Sequence, residues 1–269
     1  MNSLDVHQKR EKEKVNVVKC ADKNCNKLLT VITVVKNDCN GLEITAYSVD
    51  KLVHSEYLEY LVWINDKCQD IALHLKVACD HADTVIIGND VGIFDAMNKA
   101  LLYAKGEYVL FLNARDEIIE PFDLKKIAGP CLIPVIYRNY FGRLRLVPVS
   151  KTVKMGIPYC HQGMILPRKG YYFDIRFKYG ADYAALLNFN FRWPLPILES
   201  GLIKYDTTGV STLNRWESDK WTALIIKEKF GVFWALLYLS VCLMKLGIKR
   251  LYRFGLYIQN GFSLQTDLK

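Results

Sequence analysis

Four short apolar runs, each closed by a polar cluster, limit what this chain can fold into. Residues 28–35 (LLTVITVV), 60–64 (YLVWI), 84–87 (TVII) and 107–112 (EYVLFL) are rich in β-branched and aromatic residues. Short apolar runs of this kind are the signature of strands buried in a parallel sheet. Between them lie helix-spaced stretches. Residues 41–52 place Leu42, Thr45, Ala46 and Val49 near one face, residues 70–78 read as helical, and residues 93–104 align Ile93, Met97, Leu101 and Ala104. This alternation predicts an α/β fold with a mostly parallel sheet wrapped by helices. Ligands of such sheets bind beyond the carboxyl ends of the strands. The polar clusters at Asn37, Asn65, Asp90 and Asp116 all fall there, so one binding cleft served by several loops is expected.

Beyond Pro121 the pattern changes. Residues 132–137, 144–149 and 164–166 read as further strands and residues 182–189 as a helix, and this half is expected to form the acceptor side of the cleft. Residues 1–27 read as an N-terminal extension. Their mixed-charge run Lys9–Lys14 has no apolar face and looks like a solvated lead-in. The stretch Met1–Lys14 contains no apolar core of a secretory signal. The eight cysteines are scattered, and Cys20 and Cys25 have no second CxxC or CxxH pair near them. Reduced thiols in a cytosolic compartment are expected, rather than disulfides or a zinc site.

The 269 residues, half of them hydrophobic, suffice for one large α/β domain with an appendage. A net charge of +8 favours polyanionic partners: nucleic acid, anionic lipid or phosphorylated substrates. No nucleic-acid-binding module is recognisable. The charge is informative near the C terminus, where residues 230–244 (FGVFWALLYLSVCLM) carry none. This run is shorter than the ~20 residues that span a bilayer. It is flanked by Lys227, Lys229, Lys245, Lys249, Arg250 and Arg253, with Trp234, Tyr238, Tyr252 and Tyr257 as interfacial aromatics. Two readings stand: a helix lying in or dipping into an anionic leaflet, or a helix packed on the domain with a solvated basic end.

The most specific segment is Gly88–Ile118, GNDVGIFDAMNKALLYAKGEYVLFLNARDEI. It supplies Asp90, Gly92, Ile93, Asp95, Ala96, Met97, Asn98 and Lys99, then Gly106, Leu112, Asn113, Ala114 and Asp116. This order resembles the family 2 glycosyltransferases, in particular those building bacterial surface polysaccharides. Their pattern is Asp-x-Gly-Ile-x-Asp-Ala-Met-Asn-Lys-Gly, followed by a strand ending in Leu-Asn-Ala-Asp/Gly-Asp. Residues 32–37 (ITVVKN) look like the family's first strand and loop. Cys160-His161-Gln162, Phe173-Asp174 and Gly180-Ala181-Asp182-Tyr183 look like its His-Gln and Ala-Asp-Tyr region. The resemblance covers roughly residues 28–209.

The resemblance implies a GT-A fold: a Rossmann-like αβα sandwich over residues 28–215. Residues 28–118 form the nucleotide-sugar half, residues 119–215 the acceptor half, and residues 216–269 a C-terminal helical, membrane-associated segment. It implies an inverting transferase moving a sugar from a nucleotide-diphosphate donor, with UDP first in line, to a glycan acceptor linked to polyprenyl diphosphate. The expected location is the cytoplasmic side of the plasma membrane, on an anionic surface. A divalent metal, Mn²⁺ or Mg²⁺, would neutralise the leaving diphosphate, with Asp116 as its ligand. Arg115 departs from the family's Asp or Gly and is a candidate contact to the diphosphate. Asp182 would be the general base. As a lone residue before a helix it is equally an N-cap.

Thr33, Val35, Asn37, Asn65, Asp70, Asp90, Asp95, Asn98 and Lys99 would surround the donor. Asn65 stands where the family carries an aspartate reading the base. His161 and Gln162 would meet the diphosphate, the metal or the acceptor, although a lone histidine is as often structural. Two other classes compete. A degenerate transferase fold acting as a membrane-bound scaffold is consistent with Asn65 and Arg115. A nucleotidyltransferase would need a Gly-rich triphosphate loop after the first strand, and residues 35–38 (VKND) do not supply one.

Overall fold

A computed structural model of the chain describes residues 15–20, 27–138, 142–189, 193–208 and 214–247. The four expected strands form its centre. They are β2 (Leu29–Val35), β3 (Leu58–Asn65), β4 (Thr84–Gly88) and β5 (Tyr108–Phe111). Every residue of β2 and β3 is buried. The two pair in parallel from Leu29 opposite Leu58 to Val35 opposite Ile64, and β2 pairs on its other side with β5, Ile32 opposite Phe111. Burial on both faces explains why these runs show no polar alternation.

Three helices connect the strands: α1 (Cys39–Val49), α2 (Ile71–His81) and α3 (Ile93–Leu101). Asp38 caps α1 by accepting from the Gly41 amide, and Asp70 caps α2 by accepting from the Leu73 amide. From β2 through β3 to β4 the chain steps in one direction across the sheet. Right-handed crossovers therefore put α1 and α2 side by side on one face, where they pack on each other. The connection from β4 to β5 returns past β3 and β2, so α3 lies on the opposite face, against those two strands.

The parallel centre is flanked by antiparallel strands. The strand order is β1-β4-β3-β2-β5-β10-β7, where β1 is Asn16–Cys20, β7 is Cys131–Leu132 and β10 is Met164–Pro167. A second sheet has the order β6-β11-β8-β9 and contains β6 (Glu117–Glu120), β8 (Val135–Arg138), β9 (Leu144–Leu146) and β11 (Leu202–Tyr205).

The expectations need four corrections. Part of the supposed lead-in is the strand β1, antiparallel to β4, and it covers an edge that would otherwise present unpaired backbone groups. Lys9–Lys14 and Cys25 lie outside the described residues. The single strand read over 132–137 is two strands in two sheets, parted at Pro134, which has no amide hydrogen to continue a ladder. The strand read over 144–149 stops at Leu146, two residues before Pro148. The helix read over 182–189 is the shorter α4 (Ala181–Leu186). The cysteines whose side chains are described, including Cys68, Cys131 and Cys242, are free thiols.

The C-terminal segment is a helix pair. Helix α5 (Arg215–Phe230) ends at Gly231, whose φ of 92° suits glycine, and α6 follows over residues 232–247. Ala235, Tyr238 and Cys242 of α6 are buried against the domain. The Tyr238 hydroxyl donates to the buried Asp219 of α5 at 2.9 Å. No helix of the described residues is long and apolar enough to cross a membrane.

At the amino ends of the strands a buried carboxylate holds three elements together. Glu59 of β3 accepts from the Thr30 hydroxyl at 2.7 Å and from the Lys105 amide at 2.6 Å. Thr30 Oγ1 in turn accepts from the Gly106 amide at 2.8 Å. A Cβ at Gly106 would sit 2.5 Å from the Thr30 backbone nitrogen, which no side-chain rotation relieves. Gly106→Ala is expected to destabilise the chain by about 1–3 kcal/mol, read as a lower urea midpoint at unchanged slope.

Candidate functional site

Strand β2 has β3 on one side and β5 on the other, so the chain's winding reverses between β2 and β5. In open α/β sheets this reversal opens a crevice at the carboxyl edge. The loops that meet there are residues 36–38 after β2, residues 66–70 after β3 and residues 112–116 after β5. They enclose a cleft of ≈ 310 Å³ lined by Asn37, Asp38, Asn40, Gln69, Asp70 and Arg115, among others.

The cleft is built by side chains that reach between loops. Asn37 adopts a left-handed φ of 57°, a conformation asparagine tolerates, and its Oδ1 accepts from the Gln69 amide at 2.8 Å. Arg115 also has a left-handed φ, 78°. Its guanidinium grips Asp38 through two bonds, Nε to Oδ2 at 2.7 Å and Nη2 to Oδ1 at 2.8 Å. Its amide donates to the Gly41 carbonyl at 3.0 Å. A Cβ at Gly41 would lie 2.3 Å from Asp38 Oδ2 and 2.7 Å from Arg115 Cγ, so a larger residue there would have to displace the clasp. The Arg115 side chain remains 49% exposed. The N-terminus of α1, at Cys39 and Asn40, opens on the same cleft, so a guanidinium and a helix N-terminus face one space.

Asp116 lies deeper. It is 2% exposed, and each carboxylate oxygen accepts a backbone N–H: Oδ2 from Asn113 at 3.1 Å and Oδ1 from Asp206 at 2.9 Å. Its own carbonyl accepts from the Thr45 hydroxyl at 2.7 Å. Burial pushes its pKa up to about 7, against the lowering effect of those amides, with a further rise from Asp206. A divalent ion held by one carboxylate and the substrate's own phosphates would draw on Asp116. The residue before it is Arg115, paired with Asp38, and the described residues contain no group of three His, Cys, Asp or Glu able to hold a metal. Asp116 links the turn after β5 to the residue after β11 and to α1.

The other half contributes α4, entered through Gly180 at φ 77°. Asp182 stands in its first turn, half-buried, with Oδ1 accepting from the Tyr183 amide at 2.9 Å. Burial, with smaller rises from Asp116 and Asp182, pushes the Cys160 thiol far up, against the lowering effect of a hydrogen bond at Gln162.

Several residues expected around the donor make hydrogen bonds within the framework. Thr33 is fully buried; its hydroxyl donates to the Leu112 carbonyl at 2.8 Å and accepts from Tyr60. Val35 is buried in the β2–β3 pairing. Asp70 is the α2 cap. Asp90 accepts from the Trp63 indole at 3.1 Å and from the Gly92 amide. Asp95 accepts from the Val91 amide and pairs with Lys99 at 3.3 Å, while Lys99 also donates to the Asn89 carbonyl. Asn98 clamps Phe173, donating to its carbonyl at 2.7 Å and accepting from its amide at 2.8 Å.

His161 belongs to an aromatic nest. It stacks on Phe111 with centroids 5.3 Å apart and bonds the Tyr171 hydroxyl at 2.8 Å through Nε2. Burial lowers its pKa, with a smaller opposing pull from Asp182. Gln162 is buried and accepts from the Cys160 thiol. Asn65 differs from these. It is 2% exposed, its Oδ1 accepts from the Lys67 amide, and its Nδ2 has no partner. Asn113 Oδ1, at the end of β5, is also buried without a partner.

Sequence reasoning missed Asp38 and Asp206. Asp38 was legible as a cap three residues before Gly41. Asp206 follows the four-residue strand β11 and carried no local signal.

No family profile matches the chain. An uncharacterized glycosyltransferase of Mycobacterium tuberculosis, present in strains CDC 1551 and H37Rv, is 26% identical over 204 residues, covering 68% of this chain and 77% of the relative. Among solved structures, Staphylococcus aureus TarS 1–349 in complex with UDP superposes with TM-score 0.52 at 18% identity. The match covers 76% of this chain and 66% of that one, just under two thirds of its length. The mannosyltransferase PcManGT of Pyrobaculum calidifontis, in complex with GDP-Man and Mn²⁺, superposes with TM-score 0.51 at 12% identity over 90% of this chain and 83% of that one. The mycobacterial similarity indicates a glycosyltransferase enzyme. The fold is the mixed α/β fold of such enzymes.

The raised Asp116 pKa fixes the sign of a stability effect. The folded state holds this proton more tightly than the unfolded chain, where the ordinary value is 3.8. The associated stability is complete below about 3.8 and is lost as pH rises through about 7. Melting temperatures measured from pH 5 to pH 8 should fall for the wild type, and the slope should be shallower in Asp116→Asn, which cannot ionise.

Proposed function

We propose that the chain is an inverting glycosyltransferase of the family 2 type, taking its sugar from a nucleotide-diphosphate donor held in the cleft between β2 and β5. The observation that carries this reading is the Arg115–Asp38 clasp at the reversal point of the sheet, beside the N-terminus of α1. A guanidinium and a helix N-terminus together suit a diphosphate. In this reading Arg115 supplies the positive charge that meets the leaving group, and no step is assigned to a metal.

Asn65 recognises the base. Its Oδ1 is committed to Lys67, so it offers the donor Nδ2 to an acceptor on the base edge. The uracil carbonyls provide such an acceptor, and UDP is the first nucleotide to test. Asp182 is the general base. As the acceptor hydroxyl attacks the anomeric carbon, its proton passes to the carboxylate. The new C–O bond forms opposite the breaking bond to the diphosphate, which leaves with the electron pair. The anomeric centre inverts and no enzyme nucleophile is involved. The acceptor in this reading is a glycan on polyprenyl diphosphate, in surface-polysaccharide assembly.

A scaffold reading draws on the same departure at Arg115. Calorimetric titration of nucleoside diphosphates, in EDTA and in Mn²⁺, separates the two. One nucleotide should bind in EDTA and bind at least about tenfold more weakly to Arg115→Ala. Asp182→Asn should bind it as the wild type does, while turnover falls about 10²–10⁴-fold. Failure of folded protein to bind any nucleotide would favour the scaffold, and binding that requires Mn²⁺ would overturn the role given to Arg115.

A further inference from the structure

The two faces of α6 differ. Toward the domain it buries Ala235, Tyr238 and Cys242. Away from the domain it presents Val232, Phe233, Leu236, Leu237, Leu243 and Met244, of which Phe233 is 71% exposed and Leu236 and Met244 are each 59% exposed. Phe233 and Leu237 are four positions apart, and Leu236/Leu243 and Leu237/Met244 are each seven apart, so the set lies along one side of the helix. The described part of α6, 16 residues (232–247), is roughly 24 Å long at ~1.5 Å per residue. Isolated exposed apolar residues are ordinary, but a continuous stripe of this kind marks a contact surface.

Charge identifies the occupant. The sequence contains no Asp or Glu between Gly231 and Thr266, whereas Lys245 at the end of α6 and, outside the described residues, Lys249, Arg250 and Arg253 fall in that interval. Lys227 and Lys229 are exposed in the last turn of α5, with Glu228 as the one acid between them. At the start of α6 the Lys154 ammonium lies 4.7 Å from the Trp234 ring centroid, an aromatic–cation pair suited to a headgroup boundary. A second copy of the chain is disfavoured as occupant, because each copy carries a net charge of +8 and would bring the same basic flank to the contact.

We infer that α6 lies flat in the surface of an anionic bilayer, its Phe233–Leu236–Met244 stripe among the acyl chains and its basic flank among the headgroups. This attachment is in-plane and is independent of which sugar the enzyme transfers. The Tyr238–Asp219 hydrogen bond fixes α6 to its neighbour α5.

The test is co-sedimentation of the full chain with phosphatidylcholine vesicles, with and without phosphatidylglycerol. It is repeated with the triple variant Phe233→Asp, Leu236→Asp, Met244→Asp. These side chains are exposed, so the variant should keep its circular dichroism and melting temperature. The wild type should bind the anionic vesicles, lose affinity with added salt, and exceed the variant by at least about tenfold. A milder variant, Phe233→Ser, should give an intermediate loss and serves if the triple variant is poorly folded. Absence of wild-type binding, or equal binding by a folded variant, would overturn the inference. So would a wild-type dimer on gel filtration that the variant converts to monomer, since the stripe would then be a contact between copies.

Discussion

The carboxylate of Asp116 ties together the parts on which the cleft depends. One oxygen takes the amide that ends β5 and the other takes the amide that follows β11, while its carbonyl takes a hydroxyl from α1. Three elements from both sheets thus meet on one buried residue. A buried carboxylate is costly unless hydrogen-bonded, and here two amides offset only part of that cost, as the raised pKa shows. In the turn that Asp116 ties down, Arg115 adopts its left-handed conformation and pairs with Asp38.

This arrangement changes how the Asn113–Asp116 turn is read. By resemblance alone, the last aspartate is a metal ligand. In the folded chain its carboxylate accepts two backbone amides, and the exposed residue before it, Arg115, carries the opposite charge. A guanidinium stabilises a leaving diphosphate with a fixed fork of donors and needs no second carboxylate. Gly41 belongs to the same arrangement, since a Cβ there would displace the contact between Asp38 and Arg115.

The sheet was legible in the sequence because its central strands are buried on both faces and their apolar runs are uninterrupted; β2, β3, β4 and β5 lie within a residue or two of where those runs predict. The second half was less legible. Its strands are short and partly exposed, and Pro134 divides one apolar run between two sheets. At the site, sequence reasoning located the polar residues but not their partners. Asn98, Asp90 and Thr33 have the composition of binding residues, yet their hydrogen bonds go to Phe173, Trp63 and Leu112. Asp206 reaches Asp116 across 90 positions of sequence, a separation at which no local pattern carries information. The two-faced character of α6 was visible only as an uncharged run, because the identity of its buried face depends on Asp219 and the loop that holds Lys154.

The central claim is that the donor lies across the loops after β2, β3 and β5. Hydrogen–deuterium exchange of the full chain, compared with and without a saturating nucleotide sugar, tests it most directly. The account predicts new protection in residues 36–41, 65–70 and 112–116 together, with little change in the strands that precede them. Protection confined to the second sheet, or none in these three loops under saturation, would contradict it.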